Sequence, residues 1–388
     1  MKIGIVGNYG NDNNGDEAIL FSIILQLERT FNISREDISV FSNNPGQTSA
    51  RYGVHSYPLY YKSNNIYRTF YHTFQKNKKR VARLDLLIIG GGGILMDFYR
   101  REAHLYGSYA MMAKLSKVPF IIYGCGAGPI NTVIGRFLIR RMCRHASNVS
   151  VRDPESKKLL NDIGVKKEIH VIGDPALALC QPREEYNESP KEVAVSCVPM
   201  YNKNYWPYGD VDKYEEYVSG MARNLDRLIE KEDVNITFFA TKYPQDVCVT
   251  KDIQEKMRHR ERTKIIDENL QPQKLLEFES RFDTIIGTRL HSLIVATCSA
   301  TPIVGIAYHP KVANFMKLIG VEDRCLTIGD IQEDEMALAR TFSHLRKNWK
   351  DIVHDTKSIA QKVCEEATNK GRELLMKAVE ENGKSIRD

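Results

Sequence analysis

Short blocks of consecutive apolar residues recur along the chain, each closing on glycine or small polar residues and each followed by a longer amphipathic segment. Blocks too short for helices, and without polar alternation, predict parallel strands buried on both faces. They fall at Lys2–Val6, Ile38–Phe41, Leu84–Ile89, Phe120–Tyr123, Asn148–Val151 and Glu168–Ile172. A second series follows at Val193–Val198, Val234–Ala240, Lys264–Ile266, Thr284–Gly287, Pro302–Ala307 and Cys325–Ile328. Helical periods separate them, as at Ala18–Leu27, Val133–Ala146, Asp212–Lys231, Gln245–Arg258 and Gln271–Ser280. Strands alternating with helices in this way predict an α/β fold. Between the two series, Cys180–Lys191 is polar and punctuated by Pro182 and Pro190, which reads as a linker. The predicted architecture is two Rossmann-like doubly wound domains facing each other across a cleft, over residues 1–180 and 192–332. A linker at 181–191 joins them, and a charged helical extension follows over 333–388.

Composition narrows the classes. A chain of 388 residues is too long for one ordinary core. No apolar run approaches the roughly 20 residues needed to span a bilayer. The first residues run straight into a strand and do not read as a signal peptide. The eight cysteines are scattered with no Cys-x-x-Cys pair, so neither a metal site nor a disulfide framework is predicted. That pattern suits a reducing, cytoplasmic setting. The net charge of +6 fits an acidic substrate or an anionic membrane surface; no nucleic-acid module is visible. Tyr67, Phe70, Tyr71 and Phe74 stand at helical spacing before Lys76, Lys78, Lys79, Arg80 and Arg83. This is a core face with a solvated turn, or a peripheral membrane contact. Arg136, Arg140 and Arg144, with Arg141 beside them, lie on one helical stripe: a solvated face, or one that meets an anionic partner.

Candidate chemistry gathers where strands end and helices begin, the place where open α/β sheets bind ligands. In the first half the loop Gly7–Glu17 follows the first strand. It lacks the third glycine of a dinucleotide fingerprint, and Asp16 and Glu17 put negative charge where a pyrophosphate would sit, so NAD is not expected. Asp16 and Glu17 cap the next helix or bind sugar hydroxyls. Gly90–Gly93 lets backbone approach a ligand closely, and Asp97 follows as a general base, a sugar ligand or an N-cap. Gly124–Pro129 is a second glycine-rich strand end, and Arg152 ends another strand. In the second half Arg289 offers a planar fork for carboxylate or phosphate, His291 titrates near neutrality, and Lys311 opens the following helix. Each alone has a bland reading as a solvated or structural residue. Clustered at successive strand ends, they suit a small, strongly anionic ligand. The glycine-rich ends of the first half suit a polyol or glycan.

These residues resemble a known family. Asn8-x-Gly10 with Asn14-Gly15-Asp16-Glu17-Ala18-Ile19-Leu20, Gly90-Gly91-Gly92 with Asp97, and Gly126-x-Gly128-Pro129 are similar to motifs of the polysaccharide pyruvyl transferases. So are Ser150-Val151-Arg152-Asp153, Asp174-Pro175-Ala176-Leu177, and Arg289-Leu290-His291-Ser292 with Tyr308-x-x-Lys311. The resemblance spans about residues 1–320. It implies a fold like that of the two-domain B-type glycosyltransferases. It also implies transfer of an enolpyruvyl unit from phosphoenolpyruvate to a sugar of a surface polysaccharide precursor, forming a ketal and releasing phosphate. The acceptor it implies is a glycan, often a lipid-diphosphate-linked sugar at the inner face of the membrane. Its donor-site Arg, His and Lys match Arg152, His291 and Lys311.

The chemistry asks for the residue types present. Phosphoenolpyruvate carries a carboxylate and a phosphate, which Arg152, Arg289, His291 and Lys311 are candidates to bind. Its C2 becomes electrophilic when C3 is protonated, with His291 as the expected acid. Asp97 is the expected base, with Asp16 behind it. Asn14, Asp16, Glu17, Gly91, Gly92 and Asp97 are the expected acceptor-side residues. No metal and no cofactor beyond the donor substrate is demanded. The main alternative is a B-type glycosyltransferase using a nucleotide sugar. A non-catalytic glycan- or anion-binding module and, more remotely, a nicotinamide dehydrogenase are further alternatives. The terminal helices can pack back over the first domain or pair with a second copy.

Overall fold

In the computed structural model, residues 1–98, 101–206 and 209–385 are described; the side chains at 66, 67 and 381–385 lie outside that description, and Tyr67 of the aromatic stripe is among them. The first sheet holds β1 (Ile3–Val6), β2 (Ile38–Ser42), β3 (His55–Pro58), β4 (Leu86–Gly90), β5 (Phe120–Cys125), β6 (Val149–Val151) and β7 (His170–Val171). Their order is β3-β2-β1-β4-β5-β6-β7, with every neighbouring pair parallel. The second sheet holds β8 (Glu192–Ser196), β9 (Asn235–Phe238), β10 (Thr263–Ile265), β11 (Thr284–Gly287), β12 (Ile303–Ala307) and β13 (Cys325–Thr327). It is also parallel throughout, in the order β10-β9-β8-β11-β12-β13. The central strands are buried along their whole length, which is why they read as unbroken apolar blocks. Strand order reverses between β1 and β4 in one sheet and between β8 and β11 in the other. Those are the switch points at which doubly wound folds bind ligands.

Three elements were not visible in the apolar pattern. β3 lies at a sheet edge, has no fully buried position and ends in a proline, which an edge tolerates. The helix Pro45–Tyr52 is short, and it is framed by Asn44 as N-cap and by Gly53. The helix Glu102–Leu115 is buried over much of its circumference, with Ala103, Tyr106, Tyr109, Ala110, Met112 and Ala113 all inside. It therefore lacks the one-sided stripe that marks an amphipathic helix.

The chain divides into two compact units. The first comprises Met1–Asn11, Asp16–Ala178 and Glu365–Asp388, and the second Asp12–Gly15 and Leu179–Cys364. The main boundary thus falls beside the start of the linker read from the sequence. Two features depart from that reading. The tetrapeptide Asp12–Gly15, inside the first loop, belongs to the second unit. The terminal helices are not a separate extension: residues 333–364 join the second unit and 365–385 the first, although Trp349–Ser385 is one helix. Burial explains the split. Leu338, Phe342, Leu345, Trp349 and Ile352 enter the second unit's core, and the Trp349 indole donates to the Asn187 carbonyl at 2.7 Å. Further on, Leu374, Leu375 and Ala378 are buried, and Gly371 lies against the hydrogen-bonded pair Tyr123 and Gln26 of the first unit.

Candidate functional site

In the first unit the loops after β1 and β4 meet at the switch point. The Asp16 carboxylate, almost fully buried, accepts from the Asn8 side chain at 2.8 Å. The glycine run turns against it. Gly92 has φ +70°, and a Cβ there would sit 2.7 Å from an Asp16 oxygen, so both the conformation and the spacing require glycine. Gly91 faces Ile19 and Tyr9, so the close approach is to the protein's own first helix. The run continues as a ladder, with Gly126 N–H donating to the Gly92 carbonyl at 2.8 Å and Gly128 N–H to the Leu95 carbonyl at 2.9 Å. The glycine-rich ends of β4 and β5 are therefore joined to each other.

Two carboxylates expected on the acceptor side have structural partners. Glu17 accepts from the Gly10 N–H at 2.7 Å and the Tyr52 hydroxyl at 2.6 Å, and pairs with Arg51 at 3.2 Å. It ties the first loop to the helix Pro45–Tyr52. Asp97 accepts from the Asn131 N–H at 2.8 Å, the Thr132 N–H at 2.6 Å and the Thr132 hydroxyl at 2.6 Å. Burial pushes its pKa up, but the Thr132 hydroxyl, the two backbone donors and nearby Arg136 outweigh that, and the net shift is downward. A carboxylate held so firmly in its ionised form is a weak base. Asp97 is not itself an N-cap, as one reading had it: that position belongs to Thr132 for the helix Val133–His145 and to Arg101 for the helix Glu102–Leu115, and Asp97 instead holds the Thr132 cap in place. Arg152 ends β6 flanked by Asp153 and Asp174, each at 3.3 Å. Burial opposes its charge, but Asp174 and Asp153 hold its pKa above the usual value.

The second unit carries the other expected residues. The segment Asp12–Gly15 is fixed on the loop after β9. Asn14 N–H donates to the Thr241 carbonyl at 2.7 Å, Tyr243 N–H donates to the Asp12 carbonyl at 3.1 Å, and Asn269 donates to the Asp12 side chain at 2.8 Å. This sets Gly15 on the face of His291: a Cβ at Gly15 would stand 2.1 Å from Nδ1 and 2.6 Å from the histidine's own Cβ. Asn14 is fully buried, and neither atom of its side-chain amide has a hydrogen-bond partner among the described residues. His291 occupies the first turn of the helix Leu290–Cys298, where backbone N–H groups point outward. Below it, Thr288 Oγ1 accepts from the Val198 N–H at 2.7 Å and donates to the Ser196 carbonyl at 3.2 Å, joining the ends of β8 and β11.

Arg289 differs from the open fork read in the sequence. Its guanidinium grips the buried Asp246 through Nε and Nη2, at distances from 2.5 to 3.2 Å, and donates from Nη1 to the Tyr205 hydroxyl at 2.9 Å. Burial works against its charge, yet Asp246 raises its pKa overall. Around this pair stand two further cations. Lys242 lies over the Tyr205 ring at 5.7 Å and Lys311 over Tyr308 at 5.2 Å, with Trp206 packed on both tyrosines. Burial raises the Tyr308 pKa, but Lys311 and Arg289 lower it more, so the hydroxyl ends below its ordinary value: a sign of net positive potential. Lys242, Tyr205, Trp206 and Asp246 were missed in the sequence. Asp246 reads there as an ordinary first-turn acid of the helix Gln245–Lys256, and nothing in its surroundings signals a partner 43 residues on. Among the described residues no group of three or more His, Cys, Asp or Glu side chains is placed to hold a metal.

Arg289, His291, Lys311 and Asn14 thus belong to one unit, while Asp16, Glu17, Gly91, Gly92, Asp97 and Arg152 belong to the other. Solved structures share this fold. One described as a putative UDP-N-acetylglucosamine 2-epimerase from Listeria monocytogenes has a TM-score of 0.68 at 12% identity, covering 99% of this chain and 97% of that one. The Anabaena HepE protein in complex with UDP has a TM-score of 0.65 at 12% identity, covering 98% and 100%. At that identity the likeness shows the fold, two Rossmann-like units of the B-type glycosyltransferase kind. In sequence, the amylovoran biosynthesis protein AmsJ of Erwinia amylovora is 22% identical over 385 residues, covering 86% of this chain and 89% of that protein. The polysaccharide pyruvyl transferase family profile matches residues 13–310, from the segment that abuts His291 to the proline that precedes Lys311. With well over half its length so matched, the chain belongs to the polysaccharide pyruvyl transferase family and is an enzyme of that type, of polysaccharide biosynthesis.

Proposed function

We propose that the enzyme takes its pyruvyl unit from phosphoenolpyruvate and places it on a sugar of a surface polysaccharide precursor as a ketal. The observation that carries this reading is the second unit's cluster: Lys242, Arg289 and Lys311 around Tyr205 and Tyr308, with His291 on the neighbouring helix turn. A donor with carboxylate and phosphate on the same carbon needs several cations in a small space. Arg289 is largely balanced by Asp246, so Lys242 and Lys311 supply the unbalanced charge for the phosphate. The Asn14 amide is a further polar group for the donor.

The reaction balances with these groups. His291 gives a proton to C3 of the vinyl group, and a sugar hydroxyl adds to C2 while losing its proton to a base. The C2–O bond to phosphate then breaks, its electron pair leaving with the phosphate. A second sugar hydroxyl adds to C2 and closes the ketal, and the proton that it loses restores the one His291 gave to C3. Asp97 is a poor candidate for that base, because its carboxylate is already shared among three donors. Phosphate release from phosphoenolpyruvate, measured with a panel of glycan and lipid-diphosphate-linked acceptors, tests the reading. Release should depend on acceptor and fall by about 10²–10⁴-fold in His291→Ala. Turnover of a nucleotide sugar instead, with phosphoenolpyruvate untouched, would establish the glycosyltransferase alternative.

A further inference from the structure

We propose that one face of the first unit is a docking surface for an anionic phospholipid bilayer, formed by the helices Ile66–Val81 and Val133–His145. The inference stands on that face alone and does not rest on the identity of the donor. Val133, Ile134 and Phe137 are 81%, 60% and 52% exposed, on the first turns of a helix whose inner side buries Gly135, Ile139, Met142 and Cys143. Arg136, Arg140, Arg141 and Arg144 continue the same outer side. None of the four is ion-paired with a carboxylate among the described residues. The other helix repeats the arrangement: Phe70 and Tyr71 are exposed near its start, and Lys76 and Lys79 are exposed near its end.

The two helices carry five and four Lys or Arg residues and no Asp or Glu, against a net charge of +6 for the whole chain. Each packs against the helix Glu102–Leu115, which lies between them. All three cross from the carboxyl edge of one parallel strand back to the start of the next, so their N-terminal turns share one edge of the sheet. The exposed apolar side chains therefore stand together at that edge, joined by exposed Phe98 after β4, with the cations set further down. Apolar tips backed by unpaired cations match a bilayer whose acyl region lies beneath anionic headgroups. A second copy of the chain fits poorly, since two such faces would repel. A nucleic acid would leave the apolar tips without a partner.

The test is co-sedimentation of the full chain with phosphatidylcholine vesicles, with and without phosphatidylglycerol. Binding should require the anionic lipid and weaken as salt rises. The triple variant Val133→Ser, Ile134→Ser, Phe137→Ser should bind at least about tenfold more weakly. Arg140→Glu with Arg141→Glu should lose at least about fivefold per site, the loss expected for one basic residue near such a surface. Circular dichroism should show both variants folded, because the altered side chains are exposed. No binding by the wild-type chain, or equal binding by the variants, would overturn the proposal. So would light scattering that shows a dimer dispersed by the triple variant, which would make the face a self-interface.

Discussion

Gly15→Ala separates the claims of local propensity from those of the site. Gly15 is the second residue of the helix Asn14–Phe31. Replacing glycine with alanine within a helix stabilises by up to about 1 kcal/mol, so propensity alone predicts a harmless or favourable change. Geometry predicts the reverse for activity. The added methyl would stand 2.1 Å from His291 Nδ1, 2.2 Å from Cγ and 2.6 Å from Cβ. Carbon contacts relax at about 3.5–4.0 Å, so the imidazole has to retreat by more than about 1 Å. Because its Cβ is also struck, turning the ring does not clear the clash; backbone has to move. Overpacking of this kind costs about 1–3 kcal/mol, which largely offsets the propensity gain. A misplacement of about 1 Å at a reacting group costs on the order of 10²-fold in rate. The assay is acceptor-dependent phosphate release at saturating phosphoenolpyruvate, alongside a thermal melt. Turnover should fall about 100-fold with only a modest change in Tm. Gly46→Ala is the control, since a Cβ there meets nothing closer than 3.9 Å. Wild-type turnover in Gly15→Ala would refute the placement of His291 as the proton donor.

Asp97→Asn should cost about 1.5–3 kcal/mol of stability at neutral pH by denaturant titration. Because the folded-state pKa of Asp97 is depressed, that cost should be present above about pH 4 and fade as pH falls through the folded value. A variant that keeps its stability but loses turnover would restore Asp97 as the base. Asp246→Ala leaves the Arg289 guanidinium buried without its carboxylate and should destabilise by about 3–5 kcal/mol, read as a shifted urea midpoint. Lys242→Ala should leave Tm unchanged and raise KM for phosphoenolpyruvate about tenfold or more, as loss of a charge-assisted contact does; an unchanged KM would remove Lys242 from the donor site. Glu279 is fully buried, neither carboxyl oxygen has a partner among the described residues, and burial raises its pKa well above the ordinary value. Its folded state thus favours the proton, so Glu279→Gln should raise Tm at pH 7, and the gain should vanish below about pH 4.

Much of the fold was legible because buried parallel strands leave unbroken apolar blocks. β1, β4, β5, β8, β11 and β12 are all of that kind. What escaped was structure whose stability comes from its surroundings. β3 needs the edge of β2 to form, and Glu102–Leu115 hides its period by being covered on several sides. The division of the chain was legible only to the level of its main boundary. Asp12–Gly15 is too short for any pattern to assign, and one continuous helix, Trp349–Ser385, serves both units. At the site, residue type and strand-end position were enough to name His291, Lys311 and Asp16 as candidates. They were not enough to tell a ligand-facing charge from a paired one. Arg289 and Glu17 look like ligand groups in sequence and prove to be engaged by Asp246 and by Arg51 with Tyr52. Those partners lie 43 and about 35 residues away, beyond any local signal.

The central claim is that C3 of phosphoenolpyruvate is protonated as its C2 is captured by a sugar. The direct measurement is mass spectrometry of the acceptor after reaction with phosphoenolpyruvate in deuterated water. The account predicts an acceptor enlarged by a pyruvate ketal, with one solvent deuteron in each new methyl group and an equal yield of phosphate, all lost in His291→Ala. A product that keeps the vinyl group, or carries no deuterium, would contradict it, as would an acceptor changed only when a nucleotide sugar is supplied.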